Sequence, residues 1–297
     1  MIFRTAKATT HPHELLPDFE VARRLHQKHG KSYYFATRFF PPDTRLATWA
    51  LYAFFRVPDE IVDNEPQDTP EDIARVKEKL AAWQRDWRTA YETRSSEDPV
   101  LRVTSYVFHH YKIPFSYSDD FLRAMTTDLE KATYANYAEL EDYMYGSAAV
   151  VGLMMSHVIG FRDDALQYAE KLGYAMQLTN FLRDIDEDYH ERGRVYMPQD
   201  ELARFGLSDK DIANRNFSDD FRNFVVWQSE RAQSLYDEAM KGVPLLEPHG
   251  RFSVRCAAAL YSAILGKIAQ QDHNVFAGRA RTSTGEKIKL AFGARTG

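Results

Sequence analysis

Asn180, Asp184 and Asp188 stand four residues apart in the segment NFLRDIDEDYHERGRVYMPQDEL, residues 180–202. On an α-helix that spacing stacks the three side chains along one face in successive turns. Two aspartates so placed repel each other by about 0.2–0.5 kcal/mol, so the arrangement calls for solvent or a cation. Arg183 lies one position off this row with Glu187 as its i+4 partner, while Asp186 points elsewhere. A second acidic pair occurs in LYAFFRVPDEIVDN, residues 51–64, where Arg56, Asp59 and Asp63 follow i, i+3, i+7 spacing and Glu60 stands alongside. Tyr52, Phe54, Phe55, Val57, Ile61 and Val62 surround these charges with apolar bulk. Carboxylates rising from an apolar helix indicate a cavity with a polar rim rather than a solvated surface.

Two aspartate pairs facing each other across a helical bundle form an all-oxygen site suited to Mg²⁺, with Mn²⁺ as a substitute. Such an ion keeps several waters and binds through one or two carboxylates plus substrate phosphates. Arg45, Arg56 and Arg183 would meet the same phosphates through bidentate hydrogen bonds, so the expected ligand is a diphosphate. A single D-x-x-x-D on a helix is usually a solvated face. Two such pairs, each flanked by arginine and aromatic residues, tilt the reading toward a metal.

The elements that must carry these residues are helices. From Glu71 to Arg94 the apolar positions Ile73, Val76, Leu80, Trp83 and Trp87 recur at threes and fours, with Arg75, Lys79 and Arg85 opposite. Similar patterns cover roughly 43–63, 119–139, 141–160, 163–189, 219–241 and 252–276. Breaks are expected at Pro41-Pro42, Pro66, Pro99, Pro114, Pro198 and the GVPLLEPHG segment. No β-branched alternating run with a hairpin turn interrupts them. The pattern predicts an all-α chain of roughly eight to ten helices.

The chain has 297 residues, enough for a sizeable core and near the upper size of one domain, which favours a single domain and leaves room for two. Residues 1–20 are expected to form a loosely ordered leading segment. A net charge of -5 gives no basic footprint, so nucleic acid is not an expected partner. The single cysteine, Cys256, cannot form an internal disulfide, and no Cys/His set has zinc spacing. The N-terminus lacks the apolar run of a signal peptide. The most apolar stretch, SAAVVGLMMSHVIGF from Ser147, is shorter than the roughly 20 residues a spanning helix needs and reads as a buried core helix. These features together predict a cytoplasmic protein. Nothing in the pattern specifies an oligomer.

YAFFRVPDEIVDN followed about 115 residues later by QLTNFLRDIDEDYHERGRVYMPQDEL resembles the paired aspartate-rich motifs of the phytoene/squalene synthase family, the head-to-head prenyl synthases. The resemblance extends through HGKSYYFATRFFPPDTRLATWALYAF, YMYGSAAVVG and AAALYSAILGKIAQQDHNVFAGRARTS, in order from about Ser32 to Lys289. It implies an isoprenoid-synthase fold, one helical bundle around a central cavity. It also implies a two-stage, Mg²⁺-dependent condensation of two prenyl diphosphates through a cyclopropylcarbinyl diphosphate to a 1'-1 product.

Carried onto this chain, the resemblance assigns metal binding to Asp59, Asp63, Asn180, Asp184 and Asp188, with Gln177 beside them on the same helix. Arg56 and Arg183 flank the motifs. Lys31 and Ser32 match the early diphosphate-contacting segment, and Arg279 and Lys287 match late basic residues. Tyr143 falls where the family keeps a tyrosine close to the reacting carbons, and Tyr33, Phe35, Phe54 and Tyr261 could present ring faces to carbocations.

Two departures from the family pattern stand out. The first motif reads Asp-Glu at positions 59 and 60 with Pro58 inside its helix, and Thr133 stands where relatives often carry arginine. Pro58 should kink the helix. Small residues such as Ala148, Ala149 and Gly152 would deepen the cavity for a long chain. Tight helix packing explains Gly146 and Gly152 equally well.

The expected product is 15-cis-phytoene from two geranylgeranyl diphosphates. The alternatives are dehydrosqualene, squalene or presqualene diphosphate from farnesyl diphosphate, with NADPH required only for squalene. A water-insoluble product also implies peripheral membrane contact, through a cavity mouth edged by the basic C-terminal segment. A reading from another class is a non-catalytic prenyl-lipid binder whose acidic pairs serve solubility.

Overall fold

The computed structural model describes residues 10–67 and 69–294, the side chains of Ser32 and Thr284 excepted. The described residues form fourteen α-helices and no β-sheet, only the isolated bridges Thr133–Val195 and Phe161–Leu246. The chain opens with α1 (Leu16–His29), α2 (Lys31–Thr37), α3 (Pro42–Asn64), α4 (Pro70–Thr93) and α5 (Pro99–Tyr111). Then come α6 (Phe115–Thr127), α7 (Tyr137–Met144), a π-helical turn over Tyr145–Ala149, α8 (Val150–Ile159) and α9 (Ala165–Arg192). The last part holds α10 (Gln199–Arg204), α11 (Asp209–Ala213), α12 (Asp219–Met240), α13 (Pro248–Gln270) and α14 (Thr284–Gly293).

The starts follow the sequence punctuation. Prolines occupy the first turn of α3, α4, α5 and α13, where a missing N–H costs nothing. Thr69, Asp98, Asn136 and Ser218 accept backbone N–H bonds as caps of α4, α5, α7 and α12. The helix count exceeds the expected eight to ten because α2, α10 and α11 are too short to show periodicity and α1, α5 and α14 lie outside the ranges whose pattern stands out. The helix expected over 119–139 is two helices. Residues 128–136 leave the helix because their backbone pairs with 195–200, through Val195 N–H to Ala132 O (2.8 Å), Gln199 N–H to Tyr134 O (2.9 Å) and Asp200 N–H to Ala135 O (3.1 Å). Pro58 lies buried inside α3, which continues through it from Pro42 to Asn64.

The axis of the bundle is α9, 28 residues long, or about 42 Å at 1.5 Å per residue. It packs against α8, α12 and α13. A second block, built from α3, α4, α5 and α6, closes on an aromatic knot in which Trp87 lies 4.7 Å from Phe54 and 4.9 Å from Phe108. The Trp87 indole donates to Ser118 Oγ at 2.9 Å, so this buried ring has its one polar atom satisfied. The stretch from Ser147 is largely buried, in line with the sequence reading. Among the described residues, α13 is the helix long and apolar enough to cross a membrane by length and composition. It packs against α2, α9, α12 and α14 and forms one wall of the bundle.

Residues 10–20 differ from the expected loose segment, and residues 1–9 lie outside the described residues. Thr10 N–H bonds Asp43 at 3.0 Å, His11 stacks on Phe19 at 5.1 Å, and Asp18 pairs with Arg102 at 2.7 Å.

Gly146 and Gly152 are packing positions. A Cβ on Gly146 would lie 2.5 Å from the Asp120 carbonyl oxygen, and one on Gly152 would lie 2.6 Å from that of Ala169. Backbone cannot move aside as a flexible side chain can. Gly146→Ala is therefore expected to destabilise the protein by about 1–3 kcal/mol, seen as a thermal midpoint lowered by roughly 2–8 °C. An unchanged midpoint would contradict the close α6 contact.

Candidate active site

The helices enclose a cavity of about 670 Å³, within the range of small-molecule sites. One wall is α9, which contributes residues from Ala165 to Arg192. The opposite wall comes from α2, α3, α6, the π turn and α8, and α13 closes the side. One end is charged and the other apolar, with Leu51, Phe55, Met155, Ile159, Leu172 and Leu246 among its lining residues.

At the charged end the two acidic motifs meet. Arg192 approaches Asp63 on α3 at 3.6 Å and Asp188 on α9 at 3.3 Å, so one guanidinium spans both pairs. Arg194 donates to Asp63 Oδ1 at 3.1 Å. On the other flank Asp184 accepts from Arg183 Nε at 2.8 Å and from Arg279 at 2.9 Å, while Arg279 also reaches Glu187 at 2.9 Å. Arg56 pairs with both Asp59 and Glu60, and His29 Nδ1 lies 3.2 Å from Glu60. Asn180 Nδ2 donates to Gln177 Oε1 at 3.4 Å, and Gln177 Nε2 to Ser147 Oγ at 3.4 Å.

Desolvation raises the proton affinity of three carboxylates at this end, Asp59, Asp128 and Asp188. Burial first, then the charge of Asp63, pushes Asp59 up to about 7. Asp59 still keeps 38% of its side chain open to the cavity, so the protein surrounds it without sealing it. Burial and then Asp184 push Asp188 up to about 8. Beside them, Asp128 accepts the Tyr143 hydroxyl at 2.7 Å and the Tyr196 hydroxyl at 3.0 Å, and burial pushes it up to about 6. Tyr196 stacks on Phe181 at 4.1 Å, and Tyr143 lies 5.6 Å from Tyr196, giving this part of the cavity an aromatic wall.

Most of the residues singled out in the sequence line this cavity: Lys31, Tyr33, Arg56, Asp59, Asp63, Tyr143, Ala148, Gly152, Gln177, Asn180, Arg183, Asp184, Asp188, Tyr261 and Arg279. Four do not. Arg45 lies over the Trp49 ring at 5.7 Å; it shares a face with Arg56 but stands three turns away. Phe54 is fully buried in the aromatic knot, and its neighbour Phe55 takes the cavity position. Phe35 packs against Phe39 at 5.7 Å in a satellite cluster with α13 and α14. Lys287 lies near Lys31, and burial lowers its proton affinity. The Ser32 side chain lies outside the described residues.

The sequence reading missed Asp128, Arg192, Arg194 and Tyr196. The two arginines follow the second acidic motif directly, and their number was the available signal. Asp128 belongs to no helical pair and offered none.

The donor set fits a divalent cation held jointly with a substrate. Six carboxylates line the charged end, and the raised proton affinity of Asp59 and Asp188 marks a standing demand for positive charge there. Among the described residues no three carboxylate, histidine or thiol groups converge closely enough to chelate an ion alone. An ion here would need oxygens from a diphosphate and water, the manner of Mg²⁺ rather than of a caged structural metal.

Residues 26–286 match the model of the squalene/phytoene synthase family. The chain is 31% identical over 283 residues to the 15-cis-phytoene synthase of Synechocystis sp., a match covering 91% of this chain and 82% of that relative. It is 36% identical over 283 residues to the chloroplastic phytoene synthase of an Oncidium hybrid cultivar. It spans 66%, 64% and 62% of the length of three such plant relatives. Among solved structures it superposes on a dehydrosqualene synthase with a TM-score of 0.86 and 27% identity, covering 95% of this chain and 97% of that one. A squalene synthase from Alicyclobacillus acidocaldarius gives 0.80 and 28%, with 89% and 97% covered. The match runs through both aspartate pairs, and the chain belongs to the squalene/phytoene synthase family.

Proposed function

We propose that this chain condenses two geranylgeranyl diphosphates head to head, giving 15-cis-phytoene, with Mg²⁺ held by Asp59, Asp63, Asn180, Asp184 and Asp188. The observation that carries this reading is the single guanidinium of Arg192 against both Asp63 and Asp188, which brings the two motifs to one end of an apolar cavity. Cavity length favours the C20 substrate. Asn180 and Ala165 both line the cavity and stand fifteen residues apart on α9, about 22 Å at 1.5 Å per residue. A stretched C20 prenyl chain, with carbon–carbon bonds of about 1.5 Å, is roughly 20 Å long, and a C15 chain is shorter by one isoprene unit.

The metal would neutralise the leaving diphosphates and act as a Lewis acid. The chain's own residues do the rest. Arg56, Arg183 and Arg279 have paired donors that can pass from carboxylate to phosphate oxygens, and Lys31 adds a point charge at the same mouth. Arg192 and Arg194 supply the cationic charge that Thr133, exposed on the surface, does not. Once the first C1–O bond breaks, C1 bonds across the double bond of the second substrate. Loss of one C1 proton then closes the cyclopropane. Departure of the second diphosphate and loss of another proton give the central alkene. Tyr143, Tyr196 and Phe181 face these cations with ring surfaces, each contact worth about 0.5–2 kcal/mol, and the apolar wall keeps water from quenching them.

Peripheral membrane contact is part of this reading. Phe39, Ile288 and Phe292 are 38%, 46% and 67% exposed. They lie on a layer of α2, the start of α13 and α14. Residues 31–41, 248–264 and 284–294 carry Lys31, Arg38, Arg251, Arg255, Lys287 and Lys289 against the single acidic Glu286, which pairs with Lys267, in a chain of net charge -5. Basic charge around exposed rings suits an anionic bilayer.

Four outcomes test these assignments. Purified protein given geranylgeranyl or farnesyl diphosphate with Mg²⁺, with and without NADPH, should yield a C40 hydrocarbon by mass spectrometry from the former without NADPH. A C30 product would move the reading to dehydrosqualene, or to squalene where NADPH is required. In the same assay Asp184→Ala should lose product by several orders of magnitude while keeping its circular dichroism spectrum, and unchanged turnover would return the chain to lipid binding without catalysis. Asp59 and Asp188 must shed protons to ligate, so Mg²⁺ affinity in the presence of inorganic diphosphate should rise between about pH 6 and pH 8.5, with proton release at the lower end. Calorimetry in buffers of different ionisation heat counts those protons, and a pH-independent count would contradict the site. Finally, the protein should co-sediment with phosphatidylglycerol vesicles and not with phosphatidylcholine, and Phe39→Ser with Phe292→Ser should abolish this. Equal binding to both lipids, or binding that survives the double variant, would rule out this face.

A further inference from the structure

Asp128 lies on the non-helical stretch between α6 and α7 and lines the cavity beside the acidic motifs without belonging to either. Its two oxygens are separately engaged: Oδ2 accepts the Tyr143 hydroxyl at 2.7 Å, and Oδ1 accepts the Tyr196 hydroxyl at 3.0 Å. Both phenols therefore spend their protons on Asp128. Tyr143 lines the cavity, and with its proton committed to Asp128 its Oη has only lone pairs left to offer, an acceptor rather than a donor. Arg194 holds the far side, donating to Asp63 at 3.1 Å and to Tyr196 Oη at 3.5 Å. The backbone pairing of 132–135 with 195–200 keeps Asp128 and Tyr196 at this separation.

We propose that Asp128 is the positioning residue of a two-member proton relay, taking through Tyr143 a proton lost from a C1 carbon of the condensing prenyl groups. The C1–H bond breaks and its electron pair stays with carbon, quenching the cation as a carbon–carbon bond. The proton goes to Tyr143 Oη, whose own proton passes along the existing hydrogen bond to Asp128 Oδ2. Tyr143 ends as the neutral phenol it began as, and Asp128 ends as a carboxylic acid that releases its proton when products leave. No oxidant or further reactant enters. Burial raises the proton affinity of Asp128, so its carboxylate can hold the relayed proton, and raises that of Tyr143 further still, so Tyr143 is left as the neutral phenol rather than a phenolate. A carboxylate that only buttressed Tyr143 would need one oxygen and no cavity exposure.

The inference rests on the condensation proposed above, and one experiment separates the two. Wild type, Asp128→Asn and Asp128→Glu are assayed with geranylgeranyl diphosphate and its C1-deuterated form, alongside melting temperature and calorimetric binding of Mg²⁺ with inorganic diphosphate. Asparagine keeps the shape and removes the proton acceptor. The expected result is a kcat lowered about 10²-fold in Asp128→Asn. KM should stay within about twofold, metal–diphosphate binding should be retained, a C1 deuterium isotope effect should exceed that of wild type, and Asp128→Glu should recover part of kcat. A kcat within about threefold of wild type overturns the relay, as does a loss without any increase in isotope effect or one that tracks melting temperature and binding. Wild type that makes no hydrocarbon overturns the condensation itself, and the relay with it.

Discussion

Six carboxylates share the charged end of one cavity, and the rest of the structure answers to their mutual repulsion. At an effective dielectric near 20, two like charges 4 Å apart cost about 4 kcal/mol, and burial adds to that. The protein meets this demand with Arg56, Arg183, Arg192, Arg194 and Arg279, each within salt-bridge distance of at least one of Asp59, Asp63, Asp184, Glu187 and Asp188. On the proposed reading, the arginines stand where cations and phosphates would neutralise the same carboxylates in a loaded site. Fixed guanidinium forks also exchange one oxyanion for another without large rearrangement, since carboxylate and phosphate present similar oxygen spacing.

The length of α9 makes this possible. Its face turned to the cavity is largely polar from Gln177 to Arg192 and largely apolar from Ala165 to Met176, so one helix lines both the charged and the apolar end. Its packing against the π turn and α8 depends on residues with no side chain at the contact, because larger ones would collide with backbone. Depth, polarity gradient and the placing of Asp184 and Asp188 are thus consequences of a single element. That element is held from three sides, by α8, α12 and α13.

Much of this was legible in the sequence because helical periodicity carries it. The i, i+4, i+8 row of Asn180, Asp184 and Asp188 and the Arg56–Asp59–Asp63 series each fix a face from spacing alone. Phase along a buried helix is harder to read. Phe54 and Phe55 differ by about 100° around α3, and the choice of which faces the cavity was made by Trp87 and Phe108, residues distant in sequence. Arg45 shows the complementary error, on the correct face but about 16 Å along the axis from Arg56. Asp128 and Tyr196 were out of reach because neither stands on a long helix. Their meeting depends on the backbone pairing of two irregular segments, which leaves no period.

That pairing has an evolutionary consequence. Segments 132–135 and 195–200 lie some sixty residues apart, yet they are laced by three backbone hydrogen bonds. An insertion or deletion in either would slip the ladder and swing Arg194 and Tyr196 away from Asp63 and Asp128 together. The two segments are therefore bound to vary in concert. Their side chains are free to drift where they face solvent, while their lengths are locked to each other, a covariation of register rather than of residue type.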